Sequence, residues 1–393
     1  MGKLCIIIKI LCVLLMFFER QPSFAEEQGV TDNEIIIGTT TPLTGPIGTL
    51  GNLISNIGAE TYFRHVNETG GINGRKIAHK IYDDAYRPDR AVANTKKLIE
   101  KDKIFCLFAN FGTAANLAIM PLLGKYKTPL FSPISLSKKL TDPINPYIFS
   151  LYPDYVTQAH KIVAYSITIS KRLAVLYQDN SMGREAFQGV KSAIEGKELK
   201  LVGESAINPM EADLRPHILR LRDIEEKPDT VIIFTHEIQA ARILIQAPQQ
   251  KFTPQFITVI PLSKQIFIKA AGNTAEGTVA LTIVPDAETS PKPGVIKYRD
   301  DLERYFSGQE PRSESLIGYT SAKVMVEALK RTGRDITRDK FIKTLEKMKK
   351  FETDIIYPIS FSPENRLGTK CPFFNKITDG KFNDFKGDCG GDG

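Results

Sequence analysis

The chain has 393 residues, of which 42% are hydrophobic and 25% are charged, and its formal net charge is +7. This length exceeds what one hydrophobic core organises, so at least two lobes are expected. No run of like charges extends beyond a few residues. The group Lys347, Lys349 and Lys350 indicates a solvated helix end, and we expect no nucleic-acid partner.

The first 25 residues have the pattern of a signal peptide. An apolar run from Leu4 to Phe18 is interrupted only by Lys9, and Ser23-Phe24-Ala25 supplies the small residues of a cleavage site. The run is short for a membrane span, although a retained anchor is the alternative. Cys12 lacks the context of a lipid-modified cysteine. We therefore predict an exported, unlipidated periplasmic protein that begins at Glu26.

The segment from residue 58 to 88, with the apolar residues that lead into it from Leu50, has the most specific local pattern. Apolar residues recur at helical spacing up to Val66, and Gly70-Gly71 ends this helix because glycine enters the left-handed cap cheaply. Asn73-Gly74 is a tight-turn pair that leads into a strand, and Pro88 begins the next helix. These features are architectural and contact no ligand.

Nine apolar stretches of strand length alternate with amphipathic segments along the whole chain. We predict strands at 34–39, 76–82, 104–108, 129–132, 173–177, 200–204, 230–234, 256–260 and 278–283. The alternation is typical of an α/β fold with doubly wound parallel sheets. Nine strands fit two sheets better than one. Ligands bind outside the carboxyl ends of the strands in such sheets.

The segment described above resembles the signature of the branched-chain amino-acid-binding family of type I periplasmic binding proteins. The resemblance covers roughly residues 33 to 387, and its further motifs follow in order: Pro42-Leu43-Thr44-Gly45, Phe111-Gly112-Thr113-Ala114-Ala115, Ala275-Glu276-Gly277, Ile283-Val284-Pro285 and Gly318-Tyr319. The family implies two lobes joined by three crossover strands. With the signal peptide at 1–25, lobe one is then expected at 31–150 plus 284–356. Lobe two is expected at 151–281 plus 359–393. The three crossings are expected near Ser150, Leu281 to Val284 and Ile356 to Ile359.

The resemblance also implies a function. Proteins of this family capture a small solute between the lobes and deliver it to the permease of an ABC importer in the inner membrane. We expect a small-molecule ligand, a monomer and no cofactor. A periplasmic sensing subunit for a membrane receptor or kinase is the alternative, because the same module serves both purposes.

In lobe one the predicted contacts come from three strand-to-helix loops: Thr44, Phe111, Thr113, Ala114, Ile134 and Ser135. Thr113 opens a helix, whose first amides and dipole favour a carboxylate or another oxygen acceptor. Family members use a Ser or Thr at this position to hold the head group of an amino acid. The alternative interpretation is that Thr113 is only the helix N-cap.

In lobe two the predicted contacts are Tyr155, Met182, His236 and Ser263. Tyr155 is alternatively a packed surface tyrosine, and His236 is alternatively a helix-start residue. Family members place an aromatic residue at the position of Met182 and an acidic residue near Ser263, where this chain has none. A buried ammonium without a partner is unfavourable. A ligand with a carboxylate, amide or hydroxyl groups and an apolar part therefore fits better than leucine.

Three cysteines remain after the signal peptide. Cys106 lies in an apolar strand and is expected to be a buried, inert thiol. A two-residue turn at Asp379-Gly380 pairs Thr378 with Lys381, which brings Cys371 close to Cys389. We predict a disulfide between Cys371 and Cys389. No spacing of cysteines is typical of a metal site.

No pattern of residues predicts an enzyme. The five histidines form no zinc-binding spacing, and neither a nucleophile elbow nor a phosphate loop occurs. Asp83-Asp84 is interpreted as helix capping and Asp300-Asp301 as a solvated helix face. An exported enzyme on an α/β scaffold is the alternative that ligand turnover would reveal.

Overall fold

The computed structural model describes residues 27–259 and 264–384. The predicted signal peptide at 1–25, the site residue Ser263 and the disulfide residue Cys389 lie outside this part of the chain. The strands are β1 (Glu34–Thr41), β2 (Lys76–Asp83), β3 (Cys106–Phe108), β4 (Leu130–Phe131), β5 (Ile148–Phe149), β6 (Arg172–Gln178), β7 (Lys200–Ile207), β8 (Thr230–Phe234), β9 (Gln255–Val259), β10 (Val279–Thr282), β11 (Phe373–Thr378) and β12 (Lys381–Asp384).

Most helices connect neighbouring strands or follow them. They are α1 (Gly48–Asn52), α2 (Glu60–Glu68), α3 (Pro88–Glu100), α4 (Thr113–Tyr126), α5 (Tyr155–Ile169), α6 (Ser181–Ile194), α7 (Arg215–Arg222), α8 (Glu237–Gln249), α9 (Lys264–Ala271), α10 (Pro293–Tyr305), α11 (Ser313–Thr332) and α12 (Arg338–Glu346). A π-helical segment, Leu53–Ala59, joins α1 to α2, and short 3-10 turns occur at Lys138–Leu140 and Gly272–Ala275.

The described strands form two separate sheets, as the sequence predicts. Sheet one has the order β2-β1-β3-β4-β5 and is parallel throughout. Sheet two has the order β12-β11-β10-β9-β8-β6-β7, in which β11 alone among these strands runs in the opposite direction and pairs antiparallel with both β10 and β12. One cluster of buried apolar residues packs against each sheet, and the largest cluster contains residues of both sheets. The α/β, doubly wound fold is confirmed.

The hairpin at the end of sheet two has the predicted register. Thr378 pairs with Lys381 and Ile377 with Phe382, and the turn residues Asp379 and Gly380 both have positive φ. This register is the basis of the disulfide prediction. The pairing of Cys371 with Cys389 itself stays a prediction.

The connections between the sheets lie side by side. The amide of Ser150, just after β5, donates to the carbonyl of Arg366 at 2.9 Å, and the amide of Gly368 donates back to Ser150 at 2.8 Å. The chain therefore returns toward sheet two beside its first crossing. The lobe limits, including the third crossing near Ile356 to Ile359, stay a proposal.

The Gly318-Tyr319 motif is explained by a helix contact. A β-carbon on Gly318 would lie 1.9 Å from the carbonyl oxygen of Ile54, and one on Gly58 would lie 2.1 Å from that of Ser315. The π-helical segment and α11 thus approach each other backbone to backbone. No side chain fits at either crossing point.

The interpretation of Asp301 as a solvated residue is wrong. Its side chain is buried on α10, where it accepts a hydrogen bond from the Tyr319 hydroxyl at 2.7 Å and pairs with Lys297. The adjacent pair Asp300-Asp301 predicts an exposed, charged face of the helix. A charged residue is nevertheless buried where hydrogen-bond and ion-pair partners surround it. Asp301 is thus part of the packing between α10 and α11.

Candidate ligand-binding site between the two sheets

A cavity of about 60 Å³ lies between the carboxyl-terminal edges of the two sheets. Its wall consists mostly of apolar and aromatic side chains: Tyr86, Phe111, Gly112, Thr113, Ile134, Ser135, Leu136, Tyr152, Tyr155, Met182, His236, Ile283 and Ile317. Larger crevices of about 540 and 840 Å³ open on the surface, but charged residues line them. The cavity has the position that ligands occupy in open parallel sheets.

The structure brings most of the predicted residues together around this cavity. The lining set includes Phe111, Thr113, Ile134, Ser135, Tyr155, Met182 and His236. Thr44 and Ala114 do not line the cavity, and Ser263 lies outside the described residues. Four further lining residues were not among the predicted contacts: Tyr86, Tyr152, Ile283 and Ile317.

Three hydroxyl groups meet at the start of α4. The Thr113 and Ser135 hydroxyl oxygens lie 2.9 Å apart. Burial raises the pKa of Tyr155, and a hydrogen bond with Thr113 offsets only part of that rise. Tyr155 is therefore a neutral phenol with a proton to donate. The alternative that it is a surface tyrosine is wrong, since it is buried.

The first turn of α4 is open to a ligand. Gly112, with φ of 96°, occupies the N-cap position, and no side chain caps this helix. Thr113 is thus the first helical residue and not the N-cap, so the capping interpretation is wrong. Uncapped amides at a helix start carry a partial positive charge that favours an anionic or other oxygen-bearing group.

The opposite wall comes from sheet two. Met182 lies in the first turn of α6, where the N-cap Asn180 accepts a hydrogen bond from the amide of Gly183 at 3.0 Å. His236 is the N-cap of α8, as the helix-start interpretation states, and no side-chain bond caps that helix. This wall offers a flexible thioether and an exposed imidazole.

A second tyrosine, Tyr152, also lines the cavity. The hydroxyl of Tyr152 donates to the carbonyl of Ile317 at 2.8 Å and lies 3.2 Å from the hydroxyl of Ser321. Its hydrogen-bonding capacity is therefore used within the protein. Tyr152 and Ile317 present only apolar surface to the cavity.

No acidic side chain is among the described residues that line the cavity. Residues 260–263, which the structure does not describe, read Ile-Pro-Leu-Ser and contain none either. A carboxylate does connect the two walls nearby. Glu185 of α6 accepts hydrogen bonds from the Ser137 hydroxyl at 2.7 Å and from the amide of Lys138, and burial raises its pKa.

Thr44 has a structural role instead of lining the cavity. Its hydroxyl donates to Asp83 at 2.6 Å, and the amides of Leu43 and Ala85 donate to the same carboxylate at 2.8 and 2.9 Å. Burial alone would raise the pKa of Asp83, but these bonds lower it to about 2. Asp83 and Asp84 therefore organise two loops, and the interpretation as helix caps is wrong, since Arg87 is the N-cap of α3.

Two sheets that enclose a cavity at their carboxyl-terminal edges define a bilobal solute-binding protein. The family model described as "Periplasmic binding protein" matches residues 34–381. The chain therefore belongs to the periplasmic binding proteins, of the type I, branched-chain amino-acid-binding class. These are substrate-binding proteins and not enzymes, and their location is the periplasm.

Known relatives agree with this assignment. The chain is 24% identical over 311 residues to Leu/Ile/Val-binding protein homolog 7 of Brucella suis, covering 75% of this chain and 77% of the relative. It is similar in fold to a branched-chain amino acid ABC transporter protein of Thermus thermophilus with bound valine (TM-score 0.80, 20% identity, 90% and 96% coverage). It is also similar to a fatty acid ABC transporter substrate-binding protein of Thermomonospora curvata (TM-score 0.77, 22% identity, 90% and 91% coverage).

Other features of the described residues bear on the remaining expectations. Within 27–259 and 264–384, no helix combines the length and apolarity that crossing a membrane requires. The same residues contain no cluster of three or more His, Cys, Asp or Glu side chains suited to a metal ion. Cys106 is fully buried, and burial raises the pKa of its thiol, as expected of an inert cysteine.

Proposed function

We propose that this protein captures a small organic solute between its two lobes and delivers it to the permease of an ABC importer. The solute carries a carboxylate or an amide at one end and an apolar body at the other. The observation that carries this proposal is the cavity itself, where the hydroxyls of Thr113, Ser135 and Tyr155 meet an uncapped helix start inside an otherwise apolar wall.

The polar end of the solute is assigned to the start of α4. The amides of the first turn and the hydroxyl of Thr113 donate hydrogen bonds, and the dipole of α4 adds a favourable partial charge. The phenol of Tyr155 adds a further donor. Helix-start amides that no side chain caps favour an oxygen-rich, anionic group in a desolvated site.

The rest of the solute is assigned to the apolar wall. Ile134, Leu136, Ile283 and Ile317 surround the cavity, and Met182 faces them from α6. These side chains favour an aliphatic or aromatic body by burial of apolar surface. An α-ammonium next to the carboxylate would be buried without an acidic partner, which costs several kcal/mol in practice.

A matched pair of solutes tests this proposal. Leucine and 4-methylpentanoate share one carbon skeleton and differ only in the α-ammonium. In calorimetric titrations of the purified protein, 4-methylpentanoate should bind about a hundredfold more tightly than leucine, because it avoids the buried ammonium. Submicromolar binding of leucine would contradict the assignment of the polar end.

Delivery to a permease needs a separate test. A strain that lacks this gene should lose uptake of the solute that the purified protein binds, and expression of the protein should restore it. Normal uptake in that strain, together with loss of a transcriptional response to the same solute, would favour the sensing alternative.

A further inference from the structure

Tyr86 is part of the cavity wall although no sequence pattern pointed to it. It lies in the loop between β2 and α3, on the sheet-one side of the cavity, opposite Met182 and His236. The residue is 50% exposed overall, although burial raises the pKa of its hydroxyl. An exposed aromatic ring at the wall of a ligand cavity has a free surface that a ligand can cover.

The backbone of this loop is held in an unfavourable conformation. Ala85 and Tyr86 both have positive φ, 48° and 61°, which residues with a β-carbon rarely adopt. A carboxylate stabilises the backbone at each of these residues. Asp83 accepts a hydrogen bond from the amide of Ala85 at 2.9 Å, and Asp84 accepts one from the amide of Tyr86 at 2.8 Å. Two successive residues of this kind, fixed by two acidic side chains, indicate that the position of the ring matters.

The ring lies over the start of α4. A β-carbon on Gly112 would be 2.8 Å from Cε2 of Tyr86, so only glycine allows the ring this position. The ring also makes an edge contact with Phe111, at 6.0 Å between centroids and 65° between planes. The first turn of α4, to which the polar end of the solute is assigned, is thus bordered by Tyr86.

We propose that Tyr86 is the gate of the cavity, and that its ring covers the apolar body of a bound carboxylate. This inference rests on the proposed function and adds the residue that retains the solute. Of the other two tyrosines of the wall, Tyr152 donates its hydroxyl to the carbonyl of Ile317, and Tyr155 brings its hydroxyl to Thr113 at the polar end of the cavity. Tyr86 instead contributes ring surface, so its loss should mainly accelerate dissociation.

Variants of this loop test the gate with 4-methylpentanoate as the probe. Tyr86→Ala should weaken binding about tenfold, since ring surface is no longer available for burial. Tyr86→Phe should rescue most of that loss. Ala85→Gly, which keeps the ring but relaxes the turn, should give an intermediate loss. Ile296→Ala is the matched control, because Ile296 is an apolar residue on α10 that is 43% exposed.

A spectroscopic readout separates a gate from a merely structural residue. The chain contains no tryptophan, so Tyr86→Trp introduces a single one. Its emission should shift to shorter wavelength when 4-methylpentanoate binds, because the ring becomes covered. An unshifted emission in a protein that binds the probe by calorimetry would overturn the gate.

The two proposals fail in different ways. A Tyr86→Ala protein that binds 4-methylpentanoate as tightly as the wild type overturns the gate and leaves the proposed function intact. A wild-type protein that binds leucine but not 4-methylpentanoate overturns the ligand class, and the gate for an apolar carboxylate falls with it.

Discussion

The two walls of the cavity differ in chemistry. The sheet-one wall carries the hydroxyls of Thr113 and Ser135 at a helix start that no side chain caps, and Tyr155 reaches it from α5. The wall from sheet two presents the flexible side chain of Met182 from a helix that Asn180 caps, and the imidazole of His236 from the uncapped start of α8. The sheet-one wall can orient a polar group of the ligand through hydrogen bonds. The sheet-two wall can adapt its apolar contacts to the shape of the ligand.

This difference predicts unequal effects of mutation on the two walls. Thr113→Val removes a hydrogen bond in a desolvated site, which is worth about 1–3 kcal/mol, or roughly ten- to a hundredfold in affinity. Met182→Leu conserves volume and should cost less. Calorimetric titration of both variants with 4-methylpentanoate measures the contrast. Equal losses would show that the walls are not divided in this way.

The connection between the walls provides a second test. Glu185→Gln weakens the bonds from α6 to Ser137 and Lys138, so the lobes should separate more readily and affinity should fall a few-fold. Arg184→Gln is the matched control, because Arg184 forms only an exposed ion pair with Asp179.

Small-angle scattering reports the effect of these variants on shape. With saturating 4-methylpentanoate, the wild type and the Arg184 variant should decrease in radius of gyration, and the Glu185 variant should decrease less. An identical decrease in all three proteins would assign Glu185 a local role only.

The smallest expected effect concerns the loops behind the sheet-one wall. The pKa of Asp83 is lowered to about 2, so its bonds to Leu43, Thr44 and Ala85 stabilise the folded state fully above about pH 4. That stability is lost as the pH falls toward 2, and the loss is roughly 1 kcal/mol because the site is partly exposed. Denaturant unfolding from pH 5 to pH 2 should show a shallower decline for Asp83→Asn than for the wild type.

The sequence predicts the sheet-one wall better than the rest of the site. Phe111, Thr113, Ile134 and Ser135 follow directly after buried strands, and the carboxyl ends of parallel strands converge at one edge. Thr44 follows a strand too, but Asp83 holds it away from the cavity. A hydrogen-bond partner in another loop cannot be inferred from strand positions.

The residues that sequence patterns missed depend on tertiary geometry. Tyr86 reaches the cavity only because two residues have positive φ and because Gly112 lies beneath the ring. Ile317 lies inside a helix, where its apolar character indicates only burial. Its neighbour Gly318 was a usable signal, since a glycine inside a helix often marks close packing. The two-residue strand β5 is too short to give a pattern.

The most direct test of the central claim is the identity of the solute that the protein carries. Protein exported in a Gram-negative host and purified rapidly should release a bound solute on denaturation, which mass spectrometry then identifies with and without an amine-reactive label. The account predicts a carboxylate or amide with an apolar body and no reactive amine. Release of leucine or another α-amino acid in stoichiometric amount would contradict it.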